Sequence, residues 1–387
     1  MKFVTRRIQS PTISEGEFEL VERKGIGHAD TLADGISENI ELSIEKSDSN
    51  FATVPYHFSD KVFIIGGLSA PAFRGGKILK PVEIIPVCVG DPKALDEGHV
   101  ARWTQEYVER IIPRLKAKYI RIHPKVIPAT RQAFGEYSID RERCDDTSIA
   151  VAYGPLSPSE RLVLNIERHL NSRSVQSRLP MIGPDIKIML ARIKQNVEIT
   201  IACAFIGSEL EDVEDYLRAK DLVAKEARGI LEASELAGTV IVNPDDVASE
   251  KLVYITVTGS SIEHGECGFS GRGNRANGLI SPLHWMTIEA TKGKSLINHP
   301  AKLYSLASQE LCDKVLFKFP QVKEISAIFM GQIGEKLCQP HVCFVSYNSK
   351  KDFENEIRKE LDSILGDLEG LRSRYLRLGS CQQIDLQ

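Results

Sequence analysis

Leu32, Ile36, Ile40 and Ile44 recur every fourth residue with Ala33 beside them, an apolar stripe that predicts a helix with one buried face. Ahead of it, Glu17-Phe18-Glu19-Leu20-Val21-Glu22-Arg23 alternates as a half-buried strand does. Between them, Lys24-Gly25-Ile26-Gly27-His28-Ala29-Asp30-Thr31 forms a glycine turn, with Asp30 or Thr31 as the expected helix cap. A turn so placed aims free N–H groups and the positive helix end at whatever binds there. Two strands are expected around Ala52–His57 and Val62–Gly66, with Ser59-Asp60-Lys61 between them. Val100, Trp103, Tyr107, Ile111 and Leu115 fit a helix over 100–118, and 119–143 reads as loop with short strands.

Further along, Ile149–Tyr153 reads as a strand, and Ser157-Pro158-Ser159-Glu160 as a capping box with proline at the first helical position. Its helix would bury Leu162, Val163, Ile166 and Leu170 and end near Asn171-Ser172. Gly183–Lys187 opens an extended segment, Val197–Ile201 alternates as a strand, and 211–232 is an amphipathic helix. Val240–Val242 and Leu252–Val257 are predicted strands. Asn298-His299-Pro300 starts a helix whose stripe is Leu303, Leu306, Ala307, Leu311 and Val315. Strands near Val322–Met330 and Val342–Val345 follow, then one last helix with Phe353, Ile357, Leu361, Ile364, Leu368 and Leu371 on a face.

Strands and helices thus mix irregularly in three stretches, roughly 1–145, 146–257 and 258–387, with approximate boundaries open to interleaving. No linker rich in Pro, Gly or Ser separates them, so they are expected to pack as one body. The 387 residues are 42% hydrophobic and 26% charged, ordinary for a globular protein. A net charge of −4 argues against a general nucleic-acid binder. The basic start Met1-Lys2-Phe3-Val4-Thr5-Arg6-Arg7 is followed by no apolar stretch, and no run approaches bilayer length, so a signal peptide and a membrane span are not expected. The eight cysteines include no Cys-x-x-Cys pair and read as reduced, mostly buried thiols of a cytoplasmic protein.

Chemistry concentrates in Gly265-Glu266-Cys267-Gly268-Phe269-Ser270-Gly271-Arg272-Gly273-Asn274-Arg275, continuing to Gly278. Its glycines demand positive φ or close approach, and its arginines suit phosphate or carboxylate. Three more polar clusters lie at element ends: His28 with Asp30, Asp185 with Lys187, and Lys292 with Lys294 and His299. Singly, each has an ordinary structural explanation. Together they suit a polyphosphate held with metal, because carboxylates such as Asp30 and Asp185 are hard ligands for Mg²⁺ and the cations neutralise the rest. No Walker lysine, metalloprotease helix or Ser-His-Asp order is present.

Glu22-Arg23-Lys24-Gly25-Ile26-Gly27-His28-Ala29-Asp30 resembles the first signature of S-adenosylmethionine synthetases, the archaeal type most closely. The resemblance continues through Asp146-Thr147-Ser148, Glu160-Arg161-Leu162-Val163-Leu164 and Gly183-Pro184-Asp185-Ile186-Lys187. It is strongest in Gly271–Ile280, then runs through Glu289-Ala290, Gly293-Lys294 and Asn298-His299. The resemblance implies an α+β fold of three αβ subdomains about a pseudo-threefold axis, and a homodimer with active sites at the interface. It also implies ATP and methionine as substrates, phosphate and pyrophosphate as by-products, and Mg²⁺ and K⁺ as cofactors. Carried over residue by residue, His28, Lys187, Arg272 and Lys294 are catalytic. Asp185 and His299 join them on ATP and its phosphates, Asp30 holds metal, and Glu266 and Asp60 meet the amino-acid substrate.

This sequence departs from the family at several of these places. Ala29 replaces the proline after the histidine, and Glu266-Cys267 replaces paired acids. Ser295 follows Lys294 where an acid or asparagine is usual, and Phe58-Ser59-Asp60-Lys61 replaces a more polar segment. A nucleotide-contacting segment expected before Asp145 is not recognisable, Pro128–Gln132 standing in its neighbourhood. The expected activity is methionine adenosyltransfer. The alternatives are a homologue that adenosylates another thioether or amino acid, and a catalytically silent nucleotide binder.

Overall fold

The computed structural model describes residues 1–47, 57–91, 95–129 and 140–381. The chain begins with β1 (Lys2–Ile8), β2 (Phe18–Lys24), α1 (Ala29–Ser47), β3 (His57–Ile65), β4 (Leu68–Ala72), β5 (Gly75–Lys80) and β6 (Val82–Gly90). It continues with α2 (Glu97–Ile111), β7 (Ile120–Ile122), β8 (Lys125–Pro128), β9 (Ser148–Gly154), α3 (Pro158–Leu170) and α4 (Arg173–Arg178). Then come β10 (Ile182–Ile193), β11 (Asn196–Ile206), α5 (Val213–Glu232), β12 (Ala237–Val242), β13 (Ile255–Thr256) and β14 (Gly268–Phe269). The last elements are α6 (Pro300–Lys318), β15 (Glu324–Gly331), β16 (Val342–Asn348), α7 (Glu354–Leu365) and α8 (Leu368–Cys381).

The fold is α+β, as the mixed pattern predicts. Three sheets carry it, in the orders β1-β16-β15-β9, β12-β11-β10-β2 with β13 on β11, and β14-β3-β6-β7 with β8 on β6; β4 and β5 form a separate hairpin. Each sheet packs helices over its own apolar core. α6, α7 and α8 cover the first, α3 and α5 the second, α1 and α2 the third. Strands cross between distant stretches: β1 pairs in parallel with β16, β2 lies antiparallel to β10, and β14 lies against β3. No described helix is long and apolar enough to cross a membrane.

Several expectations hold in detail. Ser157 Oγ accepts from Glu160 N–H while Glu160 Oε2 accepts from Ser157 N–H, so α3 starts on the predicted capping box. Pro300 opens α6. Other expectations give way to specific contacts. The strand at Leu252–Val257 shrinks to Ile255–Thr256, because side chains take the N–H groups a ladder would use. Asp246 accepts from Tyr254, and Glu263 from Val257 and Thr258. Ser59-Asp60-Lys61 lies inside β3 rather than between strands, at a bulge between Ser59 and Lys61 that re-aims Asp60. Of the strand expected around Ala52–His57, residues 52–56 fall outside the described residues, and His57 opens β3. The last helix is two, broken at Gly366-Asp367. β1, β4, β5, β6, β14 and α4 have no counterpart in the pattern reading.

Helix α1 is buried on two sides. Its apolar stripe enters the third core. Asp30, Asp34, Glu38, Glu41 and Glu45, also buried, fall within an arc of about 80° at 100° per residue, on the side away from that stripe. Each meets the later chain or a basic partner. Phe269 N–H donates to Asp30, Gly271 N–H to Asp34, Gly293 N–H to Glu38 and Leu296 N–H to Glu41. Burial pushes Asp34 up to about 6, against the Gly271 hydrogen bond and the charges of Arg275 and Lys292. Glu38 is buried as deeply, but Lys302 Nζ at 2.5 Å, with Lys292 and Tyr375, holds it below the ordinary carboxylate range. Glu45 has burial and the Glu41 charge against it and rises to about 7.

Two stability predictions follow from this row. Lys302→Met leaves Glu38 buried and charged, and should cost about 3–5 kcal/mol in denaturant melts at pH 7.5. The loss should narrow as pH falls through the carboxylate range, because a protonated Glu38 no longer needs the ammonium; an undiminished gap would refute the pairing. Asp34 has the opposite sign. An acid raised on folding loses stability as pH climbs from about 4 to about 6. Asp34→Asn keeps an acceptor for Gly271, so it should match the parent near pH 4 and exceed it by about 1–3 kcal/mol at pH 8.

Candidate active site

The turn from β2 into α1 sets the first residue of the site. His28 N–H donates to Gly25 O, and His28 Nδ1 accepts from Asp30 N–H at 3.2 Å. The imidazole is therefore the cap, in place of Asp30 or Thr31. Thr31 instead donates its hydroxyl to Lys24 O at 3.1 Å. Because Nδ1 accepts, a neutral His28 carries its proton on Nε2. Nε2 faces Glu266 Oε1 at 3.5 Å.

The glycine-rich stretch lies across the first two turns of α1. Asp30 and Asp34, one helical turn apart, accept from its backbone at Phe269 and Gly271. Gly271 has φ +87°, the left-handed region that favours glycine. Gly268 is needed for another reason: a Cβ there would stand 2.2 Å from the Ala29 carbonyl oxygen. The Asn274 amide bonds both backbone groups of Lys24, at 3.0 and 2.8 Å. Asn277 donates to Tyr153 O at 3.1 Å, and Ile280 exchanges backbone hydrogen bonds with Glu22. The stretch thus touches a strand of every sheet: β3 through Gly268 and Phe269, β2 through Asn274 and Ile280, and β9 through Asn277.

Around it the predicted residues sort into two groups. The first holds His28, Asp30, Asp185, Lys187, Glu266 and Arg272. Asp185 Oδ2 accepts from Ser261 N–H at 2.8 Å and from its hydroxyl at 2.5 Å. Burial raises its pKa, with His28 opposing and Glu266 adding to the rise. Lys24 Nζ reaches Asp30 Oδ2 at 2.8 Å and the Arg272 carbonyl at 2.9 Å. Lys187 sits opposite Lys24 in register, with Nζ 3.4 Å from Glu22. Arg272 is exposed, and its guanidinium makes no hydrogen bond or ion pair among the described residues.

The second group is Asp60, Lys294 and His299. The bulge in β3 brings Asp60 Oδ1 to 3.5 Å from Lys294 Nζ, which also lies over the Phe58 ring. Burial pushes Asp60 up, but the hydrogen bond from Lys61 and the charge of Lys294 hold it below its ordinary range. His299 repeats the His28 device: Nδ1 accepts from Ala301 N–H at 3.2 Å to cap α6, and Nε2 faces Asp146 at 3.5 Å. The His299 imidazole beside it holds the Asp146 carboxyl below its ordinary range. No hydrogen bond or ion pair joins the two groups among the described residues. Glu266 and Asp60, both read as amino-acid contacts, therefore stand in different groups of one chain.

Lys24, Asp34, Asp146 and Ser261 take no part in the sequence reading of the site. For Asp34 a signal exists, the four-residue spacing from Asp30 on a helix that begins at a glycine turn. Ser261 has none, since its link to Asp185 spans 76 residues.

The sequence profile of the S-adenosylmethionine synthetase family matches residues 2–375. A probable S-adenosylmethionine synthase of Aquifex aeolicus is 34% identical over 373 residues, 90% of this chain and 91% of its own length. The S-adenosylmethionine synthases of Pyrobaculum islandicum and Saccharolobus solfataricus are 32% and 33% identical, covering 93% and 94% of this chain and 94% and 95% of theirs. With matches this long, the chain belongs to the S-adenosylmethionine synthetase family.

Proposed function

We propose that this protein is a methionine adenosyltransferase, forming S-adenosylmethionine from ATP and methionine. The observation that carries the reading is the loop on α1, whose backbone is held by Asp30 and Asp34 and which brings Glu266 to 3.5 Å from His28 Nε2. In the reaction the thioether sulfur forms a bond to C5′ as the C5′–O bond breaks, and the electron pair leaves with triphosphate. Water then splits triphosphate into pyrophosphate and phosphate. A thioether has no proton to lose, so the first step asks for charge stabilisation of the leaving group rather than a base. Arg272, Lys187 and Lys294 would grip the triphosphate. His28, its ring fixed through Nδ1, would donate from Nε2 to a phosphate oxygen, and His299 and Asp185 would contact the nucleotide. Glu266 and Asp60 would meet the amino acid.

Asp30 is the proposed Mg²⁺ ligand: its oxygens are hard donors, and the Lys24 ammonium at 2.8 Å supports a position that favours a cation. Mg²⁺, when bound, would neutralise triphosphate charge. K⁺ is proposed as a second cation. We also propose a homodimer in the cytoplasm, with one chain's first group completed by its partner's second. Three features support it. The two groups stay apart within a chain, the Lys187, Glu266, Asp60 and Asp146 side chains are 40–57% exposed, and a cavity of about 460 Å³ beside Tyr153 and Arg374 includes none of them. The three subdomains, roughly 1–145, 146–257 and 258–387, would then exchange edge strands about a pseudo-threefold axis.

Purified protein with ATP, methionine, Mg²⁺ and K⁺ should yield S-adenosylmethionine with phosphate and pyrophosphate; no sulfonium product would sink the reading. Arg272→Ala should lower kcat by about 10²–10³-fold, the loss expected when one preorganised charge contact to the leaving group is removed. Asp30→Asn should abolish turnover, and near-parental rates would refute its metal role. Glu266→Asp should change the KM for methionine with little effect on the KM for ATP.

A further inference from the structure

At the far end of α1 from the loop, Glu41 and Glu45 face His57 of β3 in a pocket closed to solvent, the three residues being 0%, 2% and 1% exposed. Glu41 Oε2 lies 3.3 Å from His57 Nε2, and Glu45 Oε1 lies 3.6 Å from the same nitrogen. One ligand atom from each residue falls within 4.8 Å of the other two. Glu41 uses Oε1 to accept from Leu296 N–H, yet its Oε2 and both oxygens of Glu45 accept no hydrogen bond among the described residues. Three carboxylate oxygens left so, in a dry site, are costly.

The spacings point to what would satisfy them. A charge-assisted N–H···O bond closes to about 2.7–2.9 Å, shorter than either separation. Ligands about 2.1 Å from a tetrahedral metal stand about 3.4 Å apart, close to the 3.3 and 3.6 Å from His57 to the two carboxylates. Other charge near the pair comes from Arg141 and Arg372, and the Arg372 guanidinium is committed to Leu296 O, Ile297 O and Glu369. One imidazole with two carboxylates suits zinc, cobalt or manganese better than magnesium, which favours oxygen and water.

We propose that Glu41, Glu45 and His57 form a buried site for one divalent transition-metal ion, separate from any cation that accompanies ATP. Bound there, the ion ties α1 to β3, directly behind the Gly293–His299 segment that presents Lys294 and His299. Its role is structural, since the pocket has no opening for substrate.

The test uses the full, untagged chain without nucleotide, loaded with Zn²⁺ or Co²⁺ and desalted, with metal per chain measured by mass spectrometry. One ion should stay with each chain, and the Co²⁺ form should show a visible d–d band. Glu45→Gln and Glu41→Gln should lose the band and weaken retention by at least about tenfold, while Asp30→Asn keeps both. Chelation should lower the melting temperature of the parent but not of Glu45→Gln. The proposal is overturned by substoichiometric metal in the parent, by equal retention in Glu45→Gln, or by loss of the band in Asp30→Asn alone. If a glutamate variant does not fold, the parent Co²⁺ spectrum decides: no band, no site.

Discussion

Four backbone N–H groups from residues 269–296 end on four carboxylates of α1, and the rest of the structure depends on that seam. A buried carboxylate must be hydrogen-bonded, and a buried loop N–H needs an acceptor. In this protein each requirement meets the other. The helix hands its acidic face to a segment more than 200 residues away, and that segment needs no regular secondary structure to be held. The glycine-rich loop and the Lys294–His299 segment follow one helix, so a movement of α1 would displace both candidate groups together.

The same face explains why basic side chains gather here. Lys24 lies on Asp30, Arg275 and Lys292 act on Asp34, Lys302 pairs with Glu38, and His57 stands between Glu41 and Glu45. These buried charges are weak sources of net stability, since desolvation offsets much of the attraction. Their value is positional. A misplaced partner leaves a bare charge in a dry interior, so alternative registers of the loop are strongly disfavoured. The proposed stabilisation of a leaving group would need that rigidity, because small displacements of the cations that supply it are costly to rate.

Much of the fold was legible because its signals are local. The α1 stripe, the capping box at Ser157, Pro300 at the start of α6 and the alternation of β11 each lie within a few residues. The errors occur where a side chain outside the predicted element intervenes or where a strand is irregular. Glu263 and Asp246 divert the N–H groups of Leu252–Val257, and the bulge at Asp60 lies inside a strand where a break was expected. The acidic row on α1 was visible as spacing, but five acids on one face ordinarily mean solvent. Only the folded chain shows that face to be interior.

By itself, the sequence determined where chemistry-bearing residue types concentrate: the glycine turn with His28 and Asp30, the Asp185-Lys187 pair and the arginine loop stand in motifs a few residues long. Tertiary structure decided how they are arranged. It made His28 and His299 matched helix caps with Nε2 facing Glu266 and Asp146, placed Asp60 with Lys294 rather than with Glu266, and drew Glu41, Glu45 and His57 into one pocket. The physical reason is range. Propensity, capping and glycine geometry act between neighbours in sequence, whereas burial and the pairing of charge are settled only when distant segments exclude water from each other.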